Sequence, residues 1–407
     1  MDVGWCDVER GGCVVAKVLQ VNVRLSEGGA SGVARTLHDS LPTHGFESAM
    51  AYGYGPSGAA SPLEDEYDAL RLTSRPAAAV NMIAHRMRGE EVVAPGRARL
   101  AALREAIRSA DIVHLHAVHS YMMPPTGLMK MLAAEAKPVV WTMHDQWLMT
   151  GRCAQPGACD GWKTGCDPCP HLEAYPPATL DRAAVQFTRR RQAFEDLGLA
   201  SDARVVACAE WLAGEMRTAG FRDVRVITNA VDGAFWDAVQ SSPKEERDDV
   251  EPRYLFMSRD LRDPVKVDLP MLRTLAGKVP GRVTVVGDRL AEPIVGALHL
   301  PAVQDRSEMV RIMRDHSHLL FFSKVDYYPL TIAEALTAGL RVIASPSPAA
   351  REFEADERVR VLVADDEWEG VLDQPSEPTT ADTLPDTLFD PQRMTAEYAS
   401  LYREMLP

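Results

Sequence analysis

The chain lacks any apolar run near the roughly 18 to 20 residues that a membrane-crossing helix requires, so no transmembrane segment is expected. It is also short of positive charge: 44 lysines and arginines stand against 58 aspartates and glutamates, a net −14. A phosphate backbone is gripped by a basic face, so this balance argues against nucleic acid as a partner and leaves only local basic patches. Met1 to Arg10 carries acids where a secretory leader would carry a basic region and an apolar core, and a cytoplasmic protein is therefore expected. In that compartment the seven cysteines are expected as thiols or metal ligands rather than disulfides.

What is present is enough for two cores. With 407 residues, 46% of them hydrophobic, the length predicts two domains. Residues 1–16 show no periodicity and read as an N-terminal extension. Lys17 to Val23 is short and β-branched, as a buried first strand should be. Ser-Glu-Gly-Gly-Ala-Ser-Gly (26–32) follows, then a helical pattern through Val33, Leu37 and Leu41. Strand, glycine-rich turn and helix let a backbone approach a phosphate closely. The turn is looser than G-x-G-x-x-G and has no P-loop lysine.

Further strands are expected at Asp111–His116 and Lys137–Thr142. His114, His116 and His119 need not converge on a metal, and His116 and His119 read as an active-site wall. His144, just past a strand's carboxyl end, can hydrogen-bond a sugar hydroxyl or a phosphate. Arg189, Arg190 and Arg191 lie on a helical segment and read as a solvated face, with an acceptor phosphate or a peripheral membrane contact as the alternative. Residues 237–252 lack apolar periodicity and read as a linker.

Four cysteines fall within 17 residues, Cys153, Cys159, Cys166 and Cys169, spaced C-x5-C-x6-C-x2-C. Four thiolates can close a tetrahedral shell around a structural zinc, with His171 as a substitute ligand; buried or redox-active thiols are the alternative.

Near the C-terminus, Leu319 to Phe322 reads as a buried strand, Pro329 suits the first turn of a helix and Gly339 its end. The turn between them would lie at the carboxyl end of a parallel strand, where ligands of open α/β sheets bind. Asp326 and Glu334 flank that turn. This pair resembles the E-x7-E signature of the family 4 retaining glycosyltransferases, with Asp326 in the first acidic place. The run Trp141–Cys153 with Gly161–Pro170 closely resembles the branch of that family that builds exopolysaccharides such as colanic acid.

The resemblance implies an α/β fold of two Rossmann-like domains facing across a cleft, the GT-B class. The acceptor domain would span 17–236 with a Cys-rich loop at 151–171. After the linker, the donor domain would span 253–390, and a last helix at 391–407 would cross back to the first domain. The implied activity is transfer of a sugar, with retention, from a nucleotide-diphosphate sugar to a hydroxyl or amine. The acceptor would be a polysaccharide precursor or a small-molecule natural product, and no catalytic metal is expected.

By the same resemblance, Gly28 and Gly29 take the place of a Gly-Gly pair lying against donor and acceptor. Lys266 takes the place of a diphosphate-binding lysine, and Arg259 and Arg262 compete for the partner arginine. The N–H groups near Leu330 and Thr331 would share the diphosphate charge. Glu334 would hold the ribose, Asp326 the hydroxyls of the transferred sugar, and His144 the sugar or the acceptor. Val267 and Ser345-Pro-Ser-Pro348 replace glycines usual in the family. Those departures keep open a non-catalytic nucleotide-sugar-binding protein whose zinc loop serves a partner; a nucleotide-sugar epimerase is a third reading.

Overall fold

The structure, a computed structural model, describes residues 15–242, 251–288, 290, 292–363, 368–371 and 387–406, with the backbone of 6–7 and 12–13. The chain divides into two units, Met1–Thr228 with Met394–Pro407, and Asn229–Arg393.

In the first unit, β1 (Cys6–Asp7) and β2 (Gly12–Cys13) pair antiparallel, and the rest of the expected extension up to residue 14 lies outside the described residues. The main sheet starts with β3 (Ala16–Asn22), β4 (Phe46–Tyr52) and β5 (Leu70–Arg71). It continues with β6 (Ile112–Leu115), β7 (Val139–Met143), β8 (Ala203–Ala207) and β9 (Arg225–Val226). The order is β5-β4-β3-β6-β7-β8-β9, every pair parallel. A parallel sheet is covered on both faces, which is why β6 and β7 are buried along their whole length. The covering helices are α1 (Gly29–Ser40), α2 (Arg75–Arg88), α3 (Arg97–Ser109), α4 (Pro125–Glu135), α5 (Ala183–Ala200) and α6 (Glu210–Thr218).

The second unit opens with α7 (Gly233–Ser241), whose first turn is capped by Asp232 accepting the Phe235 N–H at 2.8 Å. The expected linker at 237–252 therefore begins inside a helix. Phe235 and Val239, one turn apart and buried, are too few to make a visible period; residues 243–250 lie outside the described residues. The sheet comprises β10 (Tyr254–Asp260), β11 (Val283–Asp288), β12 (Ala297–Leu300), β13 (His318–Phe321), β14 (Arg341–Ala344) and β15 (Val359–Val361). Its order is β12-β11-β10-β13-β14-β15, again all parallel. Between the strands run α8 (Leu269–Lys278), α9 (Arg306–Arg314), α10 (Leu330–Ala338) and the short α11 (Pro348–Arg351), with α12 (Trp368–Val371) beyond β15.

Helix α13 (Pro391–Met405) joins the first unit from Met394 onward. Met394, Tyr398, Leu401, Tyr402 and Met405 form its buried stripe. Polar links fasten it there: His114 Nδ1 lies 2.7 Å from the Tyr402 hydroxyl and its Nε2 2.7 Å from Thr142 Oγ1, which is 2.8 Å from the Tyr398 hydroxyl. His114 is thus a satisfied core residue, and burial holds its pKa well below the ordinary value.

Candidate functional site

Strand order reverses next to the first strand of each sheet, between β3 and β6 and between β10 and β13. At such a switch point the connecting chains leave on opposite faces and open a crevice at the carboxyl ends of the strands. Most candidate residues stand after one of these four strands.

In the second unit, β10 leads to Arg259, Arg262 and Lys266, and β13 leads to Asp326 and α10. Lys266 Nζ stands 3.0 Å from Asp326 Oδ1, so the two strand ends are joined by an ion pair. Arg262 is turned to its own loop, with its Nε 3.2 Å from Asp260 Oδ1, while Arg259 is exposed next to the last residue of β10. Helix α10 begins after Pro329 with no side-chain cap, so the N–H groups of Leu330 and Thr331 are orphan donors of a helix start. It ends at Gly339, whose φ of +94° is the left-handed geometry that glycine adopts without strain.

Glu334 lies one turn into α10 and is only 8% exposed. Burial pushes its carboxyl up to about 7, against the pull of Arg306 and with a push from Asp232. Arg306, the first residue of α9, reaches Glu334 Oε1 at 3.8 Å and also binds Asp232.

In the first unit the glycine turn follows β3. Gly28 has φ +90° and forms the cap position of α1, with no atom within 4 Å of where a Cβ would stand. Asn22 fixes this turn: its Nδ2 donates to the Arg24 carbonyl at 2.8 Å and to Ser31 Oγ at 3.2 Å, and its Oδ1 accepts the Ala117 N–H at 3.0 Å.

Beyond β6 and β7 lies a small pocket lined by His116, His119, His144, Asp145, Trp147 and neighbouring residues. His116 Nε2 is 2.8 Å from Gln20 Oε1 and its Nδ1 is 2.9 Å from His144 Nε2. With the Gln20 oxygen as acceptor, His116 carries its proton on Nε2 and accepts the His144 Nε2–H on Nδ1. His144 is left with a bare Nδ1, an acceptor for a ligand hydroxyl. Burial lowers both rings, His144 to about 4, so both are neutral at pH 7. His119 Nε2 is 2.7 Å from Asp145 Oδ2; burial pushes Asp145 up, but His119 and the Trp147 N–H outweigh it and hold the carboxyl below its usual range.

The cysteine cluster differs from expectation. Cys153, Cys159, Cys166 and Cys169 line one pocket, yet among the described residues no group of three histidines, cysteines or acids is placed to hold a metal ion. The expected zinc shell is thus not supported, and the four thiols are free. Cys166 Sγ instead accepts the Gly151 N–H at 3.2 Å, and His171 is turned to Glu173 at 3.2 Å. Burial raises the Cys153 thiol to about 11 and the Cys166 thiol in the same direction.

Two buried arginines bind this loop internally. Arg152 donates to the carbonyls of Ala174 at 2.8 Å, of His171 at 2.5 Å and of Pro176. Arg190, 4% exposed, donates to Thr150 O at 2.7 Å, Gly151 O at 3.4 Å and Trp147 O, and stacks 3.5 Å from the Trp147 ring centre. The reading of Arg190 as part of a solvated face is corrected accordingly; Arg189 is exposed and pairs with Glu90.

The family model for Glycosyltransferase Family 4 matches residues 27–235. The putative colanic acid biosynthesis glycosyl transferase WcaC of Escherichia coli K12 is 31% identical over 353 residues, covering 82% of this chain and 84% of that protein. The chain belongs to glycosyltransferase family 4. Among solved structures, the apo form of the lipopolysaccharide outer core galactosyltransferase WaaB is similar at a TM-score of 0.55 and 11% identity, covering 95% of this chain and 99% of that one. A sucrose-phosphate synthase from Thermosynechococcus elongatus is similar at 0.50 and 13%, covering 96% and 95%. Identities this low speak to fold alone, and the fold class is GT-B, two Rossmann-like α/β units.

Within this family 4 chain, three residues that the sequence did not single out support the candidate groups. Gln20 and Asn22 point to the same side of β3 two residues apart, and two amides among Val18, Leu19 and Val21 were a usable signal. Arg306 lies 28 positions before Glu334, and no local pattern links the two.

Proposed function

We propose that this glycosyltransferase takes a nucleotide-diphosphate sugar as donor and transfers the sugar, with retention, to a hydroxyl of a polysaccharide precursor or other sugar-containing acceptor. The observation that carries the reading is the ion pair of Lys266 with Asp326, in the loop that leads into the uncapped start of α10, at the switch point of the second unit. A cation and orphan backbone donors at one place suit a diphosphate. Lys266, with Arg259 or Arg262 and the N–H groups of Leu330 and Thr331, would take up charge as the anomeric carbon–oxygen bond breaks. The bonding pair leaves on the diphosphate oxygen, the acceptor oxygen bonds the anomeric carbon on the same face, and its proton passes to the leaving phosphate.

Glu334 would accept the ribose hydroxyls, Asp326 would bind hydroxyls of the transferred sugar once donor phosphate draws Lys266 away, and Gly28 and Gly29 would let substrate approach the backbone. His144 would accept a hydroxyl of sugar or acceptor through Nδ1. The similarity to WcaC favours an exopolysaccharide acceptor.

The test is a panel of nucleotide sugars with glycan acceptors, the product's anomeric configuration read by NMR. Loss of donor binding and turnover in Glu334→Ala supports the assignment. Wild-type turnover in that variant refutes Glu334 as donor ligand, and an inverted product refutes retention.

A further inference from the structure

Helix α2 turns apolar side chains outward. Pro76, Val80, Ile83 and Met87 follow at i, i+4, i+7 and i+11, the spacing of one helical face. All four are exposed, Val80 at 47%, Ile83 at 60% and Met87 at 50%. The core-facing side of the helix is elsewhere, at Ala78, Asn81 and His85. A single exposed apolar residue needs no explanation, but a periodic stripe on an uncovered face does.

Charge identifies what covers it. Across its 14 residues α2 holds Arg75, Arg86 and Arg88, all exposed, and no aspartate or glutamate, in a chain of net charge −14. The surface continues past the helix end. The Thr179 hydroxyl donates to the Arg86 carbonyl at 2.7 Å and lies 3.6 Å from Met87 Sδ, which sets exposed Leu180 beside the stripe, and Arg182 packs on Gly89. Of the acids in the adjoining segments, Glu90 pairs with Arg189, Glu91 is buried against His85, and exposed Asp181 is turned to the Cys169 and Ala183 N–H groups. Among the described residues no acid pairs with Arg75, Arg86, Arg88 or Arg182. A second copy docked stripe to stripe would bring the arginines of two helices together with no acid on either helix to pair them, because a two-fold contact repeats the same patch.

We propose that α2 is a membrane-surface helix, lying in the headgroup layer of a bilayer rich in anionic phospholipid. Val80, Ile83 and Met87 enter the acyl boundary, and the arginines stretch to lipid phosphates. No described helix is long and apolar enough to cross the bilayer, so attachment by this face is peripheral. The inference is independent of the transfer reaction, and its test needs no turnover.

The full chain is floated with phosphatidylcholine vesicles, with and without phosphatidylglycerol at roughly one lipid in three. Expected are co-flotation with the anionic vesicles only, and a fall of about tenfold or more in the bound fraction for Ile83→Glu/Met87→Glu. Arg86→Gln/Arg88→Gln, a second variant at exposed positions, should fall likewise, and salt should release the wild-type protein. Absence of wild-type flotation, or unchanged flotation of both variants, overturns the proposal. A lipid-free dimer that Ile83→Glu dissolves, without vesicle binding, also overturns it and assigns the stripe to a second copy.

Discussion

Arg306 Nη1 lies 3.8 Å from Glu334 Oε1 while the same guanidinium binds Asp232, so one cation serves two carboxylates. Glu334 is the more buried acid, and with its folded pKa raised from 4.5 to about 7 the fold prefers it protonated. A raised carboxyl contributes stability that is full below about 4.5 and lost as pH rises through about 7. Chemical denaturation between pH 5 and 8 should show Glu334→Gln gaining on wild type as pH rises. A constant difference between the two across that range would contradict the raised pKa.

The imidazole pair has the opposite sign. His144, lowered from 6.5 to about 4, contributes stability that is present above about 6.5 and lost as pH falls toward 4. Wild type should therefore lose stability on acidification through that window, and His144→Asn should flatten the acid limb. Ring-proton NMR of His144 gives a direct check: a midpoint near 6.5 would show that the ring is not desolvated.

Lys266 and Asp326 form a half-exposed pair, and such pairs contribute about 1 kcal/mol or less. Lys266→Met should leave the melting temperature nearly unchanged while weakening donor binding roughly tenfold or more, since a charge-assisted contact to diphosphate is lost. Calorimetric titration with the donor reads the affinity. Equal donor affinity in the two proteins would remove Lys266 from the site.

Removing Arg190 takes a donor from three buried carbonyls, of which Trp147 O keeps only the long contacts from Thr150, and leaves the Trp147 ring without its cation. Arg190→Ala should cost about 3 kcal/mol or more, and Arg190→Lys should recover only part, because one ammonium cannot reproduce a planar fork. Urea denaturation measures both. A loss below about 0.5 kcal/mol for alanine would mean that the contacts carry no net weight.

Much of the second unit's candidate site was legible because its signals are local. Pro329 and Gly339 punctuate α10, an apolar run marks β13, and Asp326 and Glu334 sit at a fixed offset around that turn. The same holds for Lys17 to Val23 and the glycine turn. Where the reading failed, the deciding contacts run between distant residues. Cysteine spacing fixes how many thiols share a loop but not whether they are placed to hold a metal ion. Arg152 and Arg190 bind main-chain oxygen, which every residue supplies, and so leave no pattern to find. The helix at 233–241 was hidden because only Phe235 and Val239 mark its buried face.

Since Arg152 and Arg190 grip the peptide path rather than particular side chains, the segment from 147 to 176 is tolerant in one respect and brittle in another. Surface positions along it can be exchanged without touching the clasp. Any insertion or deletion, by shifting the register of the gripped oxygens, should undo it at once, which makes point substitution the safer route for engineering this loop.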